Sequence, residues 1–294
     1  MEEVNPTLNF QEGQAGFIVC FVTYHPDQGF FERLQSVLDA GYEVIVYDNT
    51  EVPDAGFENN AGYRNLKLFQ YGQNAGLGKA LKVLMMAAKE KSFEFALYFD
   101  QDTLFSLQSL RYITAWLKEV YDENDGFAAV RFNSEQPDAT GQLLASGVVR
   151  LLISSGSLFR LEALEKAGWH DENYFVEGVD YKFCLDAHRT GFRLGEVRQC
   201  PDIDHESLQP LEKSIVFGRT ILYRRYPMQR HLRFITALLR LSGISLRQAE
   251  LVYAFIFVRN IFTHLLAQSG FYLLGLLFGS KREERSLDNQ RLAS

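Results

Sequence analysis

From Phe17 to Phe132 the chain alternates short apolar runs with stretches of helical spacing. The runs are FIVCFVTY (17–24), YEVIVY (42–47), LKLFQY (66–71), FEFALYF (93–99) and FAAVRF (127–132). Each is rich in β-branched or aromatic residues and bounded by polar or glycine-bearing turns. Apolar runs of this length predict strands buried on both faces, as in parallel sheets. Between the first two, Phe30, Leu34, Val37 and Leu38 share one helical face before Gly41. Further helices are predicted from the Gly76–Gly78 turn to about Lys91 and from about Ser106 to Tyr121. Strands and helices in this alternation predict βαβ units in a mixed, mostly parallel α/β sheet flanked by helices. Beyond it, residues 143–160 read as strand segments around Ser155-Gly156. Val179–Thr190 reads as a helix stopped by Gly191.

The last third has a different texture. Residues 211–279 are predicted as several helices rich in Leu, aromatic residues and Arg. Ile261–Gly279 is a 19-residue window without a formal charge, close to membrane-spanning length. His264, Gln268, Ser269 and the interior glycines Gly270 and Gly275 argue for helices lying in the membrane interface instead. An amphipathic bundle capping the sheet is the alternative.

Charge divides the chain at the same place. Residues 1–210 hold 17 Lys and Arg against 32 Asp and Glu, and residues 211–294 hold 13 against 5. We therefore expect an α/β catalytic domain over 1–210 and a basic helical region over 211–294 that meets an anionic surface. The interleaved apolar residues favour a membrane surface over nucleic acid as its partner. Three widely spaced cysteines (Cys20, Cys184, Cys200) fit neither a disulfide framework nor a metal site. The opening MEEVNPTLNFQEG is acidic and polar and does not read as a signal peptide. Both suggest a reducing, cytoplasmic setting, peripheral at the inner face of the cell membrane.

The chemistry gathers where the strands end. Asp100 and Asp102 close the fourth run, at the strand end where open α/β sheets bind ligands. Two hard oxygen donors there suit Mg²⁺ or Mn²⁺ bridging to a diphosphate. The same spacing recurs at Asp202 and Asp204, so context carries the reading. Asp48 ends the second run, placed to accept the imide N–H of a pyrimidine base. Asn74, Gly76, Gly78 and Lys79 lie between third strand and helix, where small residues let a ligand approach backbone N–H groups. That segment is no P-loop: Gln73 replaces its first glycine and Ala80 its Ser/Thr. Glu177 and Asp180 flank a helix start, where the helix dipole favours an ionised carboxylate able to serve as a base.

Six segments in series resemble family 2 inverting glycosyltransferases of the GT-A fold, in particular the bacterial rhamnosyltransferase-like group. They are Thr23-Tyr24-His25-Pro26, Asp48-Asn49-Thr50, Asn74-Ala75-Gly76, Asp100-Gln101-Asp102, Ser155-Gly156 and Phe175–Asp180, within about residues 16–226. The resemblance implies a Rossmann-like nucleotide-binding domain using a nucleoside-diphosphate sugar, with dTDP-L-rhamnose as donor. It implies a glycan or lipid-linked glycan acceptor. Donor contacts are implied at Thr23, Tyr24, Asp48, Asn74, Gly76, Lys79, Asp100, Gln101, Ser155 and Gly156, and metal or diphosphate contacts at Asp100, Asp102 and His205. Arg224 and Arg225 match a basic-aromatic segment that follows the family's catalytic core.

Many members carry a Glu-Asp pair where this chain has Glu177-Gly178. The rhamnosyltransferase-like group instead has acids at the positions of Glu177 and Asp180, which ranks Glu177 first as base and Asp180 second. A nucleotidyltransferase and a non-catalytic sugar-nucleotide-binding protein are the alternatives. The first would need a Gly-rich basic loop after the first strand, which Thr23–Asp27 lacks; Gly178 is the hint of the second.

Overall fold

The computed structural model describes residues 16–52, 54–60, 62–135, 143, 145–205, 212–216, 219–223 and 228–278. The chain forms two compact units, residues 1–210 and 211–294. In the first, β1 (Phe17–Thr23), α1 (Gln28–Asp39), β2 (Val44–Asp48), α2 (Ala55–Asn59), β3 (Leu66–Gln70), α3 (Leu77–Glu90) and β4 (Phe95–Asp100) follow one another. Then come β5 (Thr103–Leu104), α4 (Leu107–Glu119), β6 (Phe127–Phe132), β7 (Gly147–Val149) and β8 (Ser157–Arg160). The unit closes with α5 (Leu161–Ala167), α6 (Val179–Arg189), β9 (Arg193–Val197) and β10 (Asp204–His205).

Eight of these strands form one sheet in the order β3-β2-β1-β4-β8-β6-β9-β7. The first four are parallel, while β8 runs antiparallel to both β4 and β6. Buried on both faces, β1 sends Phe17, Val19 and Phe21 toward a core with Phe30 and Leu34 of α1 and Leu110, Ile113 and Trp116 of α4. α3 packs on β1 and β2, α5 on β6 and β8, and α6 on β9. Apolar runs without alternation thus become central strands because helices cover both sides.

Local signals set the helix starts. Asp27 accepts the Phe30 N–H at 2.8 Å to cap α1, and Ser106 and Ser109 cap α4 reciprocally. After β3 the chain returns to the other side of β1 to make β4, so β1 and β4 flank the sheet's topological switch point. Register pairs Thr23 with Asp48 and Val22 with Asp100, placing the ends of β2, β1 and β4 side by side.

The second unit corrects the all-helical expectation for residues 211–279. It begins with an antiparallel pair, β11 (Glu212–Val216) and β12 (Arg219–Tyr223), before α7 (Met228–Arg247) and α8 (Leu251–Phe278). β-Branched Ile215, Val216, Thr220 and Ile221 favour the extended form there. Arg224 and Arg225 lie outside the described residues. Among the described residues no helix is long and apolar enough to cross a membrane.

Candidate active site

The ends of β1, β2 and β3 meet on one carboxylate. Asp48, fully buried, accepts from Thr23 Oγ1 at 2.8 Å, Thr50 Oγ1 at 2.7 Å and Thr50 N–H at 3.2 Å on Oδ1, and from Gln70 Nε2 at 3.0 Å on Oδ2. A carboxylate offers about four acceptor positions. Three of these donors fall on Oδ1 and one on Oδ2, so Oδ2 keeps an acceptor position, and the buried Thr23 hydroxyl holds Asp48 in place. Asn49 Oδ1 accepts the Ala75 N–H at 2.9 Å, tying this corner to the loop before α3.

That loop differs from the expected ligand cradle. A side chain at Gly76 would collide with Phe175 and one at Gly78 with the carbonyls of Asp171 and Tyr174, each at 2.5 Å. The Leu77 N–H donates to the Phe175 carbonyl at 2.5 Å. The glycines thus admit the chain's own 171–175 segment to the start of α3, with Gly76 buried at φ 82°. Asn74 Oδ1 accepts the Gly76 N–H at 3.0 Å, and Lys79 pairs with Glu172 at 2.6 Å.

Tyr24 stands at the rim with its ring 44% exposed. Its backbone is clamped twice by Gln101, whose Oε1 accepts the Tyr24 N–H at 2.7 Å and whose Nε2 donates to the Tyr24 carbonyl at 3.0 Å. Arg33 Nη2 donates to the Gln101 carbonyl at 2.5 Å. Gln101 therefore braces the loop after β4 against the turn after β1. Ser155 and Gly156 are buried and likewise act behind the site. Ser155 Oγ accepts the Asp100 N–H at 2.9 Å and lies 2.7 Å from Thr103 Oγ1. Gly156, at φ 77°, has the Phe132 carbonyl 2.8 Å from where a Cβ would sit.

Asp100 emerges at the edge of this framework. Burial, with Asp102 and Asp180 adding to it, pushes its carboxyl up to about 7, against the opposing hydrogen bond from the Tyr98 hydroxyl. Tyr98 sits fully buried two residues earlier on the same strand face, a partner legible from strand periodicity alone yet not singled out above. Asp180, in the first turn of α6, accepts on Oδ1 from Ser154 Oγ at 2.5 Å and Ser154 N–H at 3.2 Å. Burial raises its pKa, the Ser154 bonds oppose, Glu177 raises it further and Arg131 lowers it. Glu177 is partly exposed beside the helix start. Gly178 between them is the left-handed cap of α6, φ 91°, a conformation that favours glycine over the family's aspartate. β5 and β10 pair antiparallel with Thr103 opposite His205, so the His205 backbone is held next to the Asp102 loop.

Asp100 and Asp102 are hard oxygen donors of the kind that hold a divalent cation, and burial, with Asp102 and Asp180 adding to it, raises the Asp100 carboxyl. Among the described residues no group of three or more His, Cys, Asp or Glu could hold an ion. Mg²⁺ held by one or two protein carboxylates ordinarily completes its shell with water and a substrate's phosphates.

The cluster has a measurable cost. A carboxyl raised to about 7 keeps a proton in the native state that the unfolded chain loses near 3.8, so stability falls as pH rises through that interval. Metal-free protein should therefore melt several degrees lower at pH 8 than at pH 6. Asp100→Asn should flatten that slope in a calorimetric pH series.

No family model matches the chain, and no curated protein does. Solved structures do. S. aureus TarS aligns with a TM-score of 0.56 at 16% identity over 89% of this chain, which spans 45% of that one. A TarS 1–349 structure in complex with UDP-GlcNAc aligns with a TM-score of 0.54 at 15% identity, over 89% of this chain and 76% of that chain. With the sheet order above, these likenesses give the fold class: a GT-A-type α/β domain with a C-terminal helical segment.

Proposed function

We propose that the chain is a metal-dependent inverting glycosyltransferase with a nucleoside-diphosphate sugar as donor. The observation that carries this is the coupling of Asp100, Asp102 and Asp180 beside the switch point, with Asp48 two strands away at the same edge. Asp48 would receive the nucleobase, and Tyr24 and Lys79 would line the path to the diphosphate. Asp100 and Asp102 would hold Mg²⁺ or Mn²⁺, with His205 at its side. When bound, the ion neutralises charge growing on the leaving diphosphate.

The acceptor hydroxyl must lose its proton as it attacks the anomeric carbon. Asp180 is fixed through Oδ1 by Ser154, leaving Oδ2 as the proton acceptor, and its raised pKa brings it toward the working range of a base. This anchoring supports Asp180 ahead of Glu177, the reverse of the order taken from the sequence. Glu177 then acts by raising the basicity of Asp180.

For the donor, the resemblance favours dTDP-L-rhamnose, and the UDP-GlcNAc-bound likeness puts UDP sugars next. A lipid-linked or growing surface glycan is the acceptor that fits a basic, apolar C-terminal region. Metal-dependent hydrolysis across dTDP, UDP and GDP sugars tests the class. No turnover and no thermal shift with any of them would remove it. The non-catalytic reading loses its sequence basis, because the cap geometry accounts for Gly178.

Tyr98 is assigned to position the ligand carboxylate. Its hydroxyl donates to Oδ1 of Asp100, which would leave Oδ2 for a cation. Tyr98→Phe should weaken Mn²⁺ binding about 10–100-fold, the usual range for losing such support. Paramagnetic titration of the free ion reads this without turnover. Unchanged affinity in a folded variant would count against the role.

A further inference from the structure

In α7 a leucine–arginine pair recurs every seven residues, as Leu232-Arg233, Leu239-Arg240 and Leu246-Arg247. Seven residues are close to two helical turns, so the leucines form one ridge and the arginines a second about 100° round the axis. All six side chains are exposed. The leucine ridge is not the face α7 uses for its partner helix. His231, Leu238, Leu241 and Ser245 are buried on the other side, and His231 Nδ1 lies 2.9 Å from His264 Nε2 of α8.

α8 divides in the same way. Tyr253, Phe257 and Ile261 are buried, while Leu251, Phe255, Val258, Phe262 and Leu265 stand outward at helical spacing. Phe255 and Phe262 are 68% and 65% exposed, far beyond incidental surface apolarity. Rows of exposed large apolar side chains of this kind mark an interaction site.

We propose that the α7–α8 hairpin docks on an anionic lipid bilayer, lying along it with the leucine and phenylalanine ridges among the acyl chains. Arg233, Arg240, Arg247 and Arg259 then sit at headgroup level on lipid phosphates. Charge selects lipid over a second copy of this chain. Residues 228–278 hold five arginines and one carboxylate, Glu250, so two copies meeting face to face would oppose like charges. A bilayer rich in anionic lipid complements the arginine row and accepts the apolar rows beside it. The inference gives a face to the membrane-proximal acceptor reading, and its measurement needs neither donor nor acceptor.

The test is sedimentation of the full chain with vesicles of phosphatidylcholine, alone or mixed with phosphatidylglycerol, at low and high salt. Wild type should bind the mixed vesicles at low salt and lose them at high salt. R233Q/R240Q/R247Q should bind about 100-fold more weakly, from roughly 1 kcal/mol per arginine near the surface. L232S/L239S/L246S should lose binding at either salt. Tryptophan emission from Leu239→Trp should shift to the blue on mixed vesicles, and unchanged far-ultraviolet circular dichroism keeps losses distinct from unfolding. Three results overturn the proposal: no wild-type binding at low salt, equal binding by both triple variants, or a dimer that the leucine variant dissociates while vesicle binding persists. Donor hydrolysis surviving any of them would leave the catalytic reading standing.

Discussion

Asp180→Asn should reduce kcat by roughly 10²–10⁴, the range for losing general-base catalysis, with donor affinity nearly unchanged. The amide can keep the contact with Ser154 Oγ but cannot take a proton, so folding and donor binding are spared while the attacking hydroxyl is left unassisted. Because burial and Glu177 raise the Asp180 pKa, the acid limb of the wild-type kcat profile should lie above the ordinary carboxylate range. Activity should rise with pH through that limb as the base ionises. Glu177→Gln removes a neighbouring negative charge and should move the limb to lower pH with a smaller loss of rate. If Glu177→Gln is the dead variant and Asp180→Asn keeps near-normal turnover, the base is Glu177.

Asp102→Ala should lower metal-dependent donor affinity by more than about 100-fold, beyond the range for losing outer support of a ligand. With Asp102 removed, one fewer like charge acts on Asp100, so the metal-free protein should melt no lower than wild type. Loss of metal response together with retained stability separates a ligand from a structural carboxylate. Isothermal titration of donor with Mn²⁺, and again with chelator, reads both quantities. A variant that binds donor with the full metal increment would remove Asp102 from the site.

The strands and most of the helices were legible because burial imposes period and length. The apolar run from Phe95 read as a covered strand and is one, ending at Asp100 beside the switch point of the sheet. What each residue does within the site was less legible. Gly76, Ser155 and Gly156 look like donor contacts in one dimension, but each is buried and serves another part of the chain. Their partners, Phe175, Asp100 and Phe132, lie far away in sequence, and only the sheet order brings them together. The β11–β12 pair was hidden for a different reason: basic and aromatic composition masked a short β-branched alternation. Ser154 was missed because a serine beside Ser155 carries no signature until its oxygen is placed, whereas Tyr98 had a strand-periodicity signal but passed for one more aromatic in an apolar run.

The double clamp of Gln101 on Tyr24 reaches beyond local geometry. It ties the turn after β1 to the loop after β4, so the proposed nucleobase corner and the proposed cation ligands would be held at a set separation. A nucleoside or a diphosphate alone would fill only half of that arrangement and must each pay its own loss of translational freedom. An intact nucleotide would pay it once and gain both contacts at a separation already set. Recognition of this sort would measure the length between two chemical groups as well as the groups themselves, and a donor with one phosphate too few should then fail by its span.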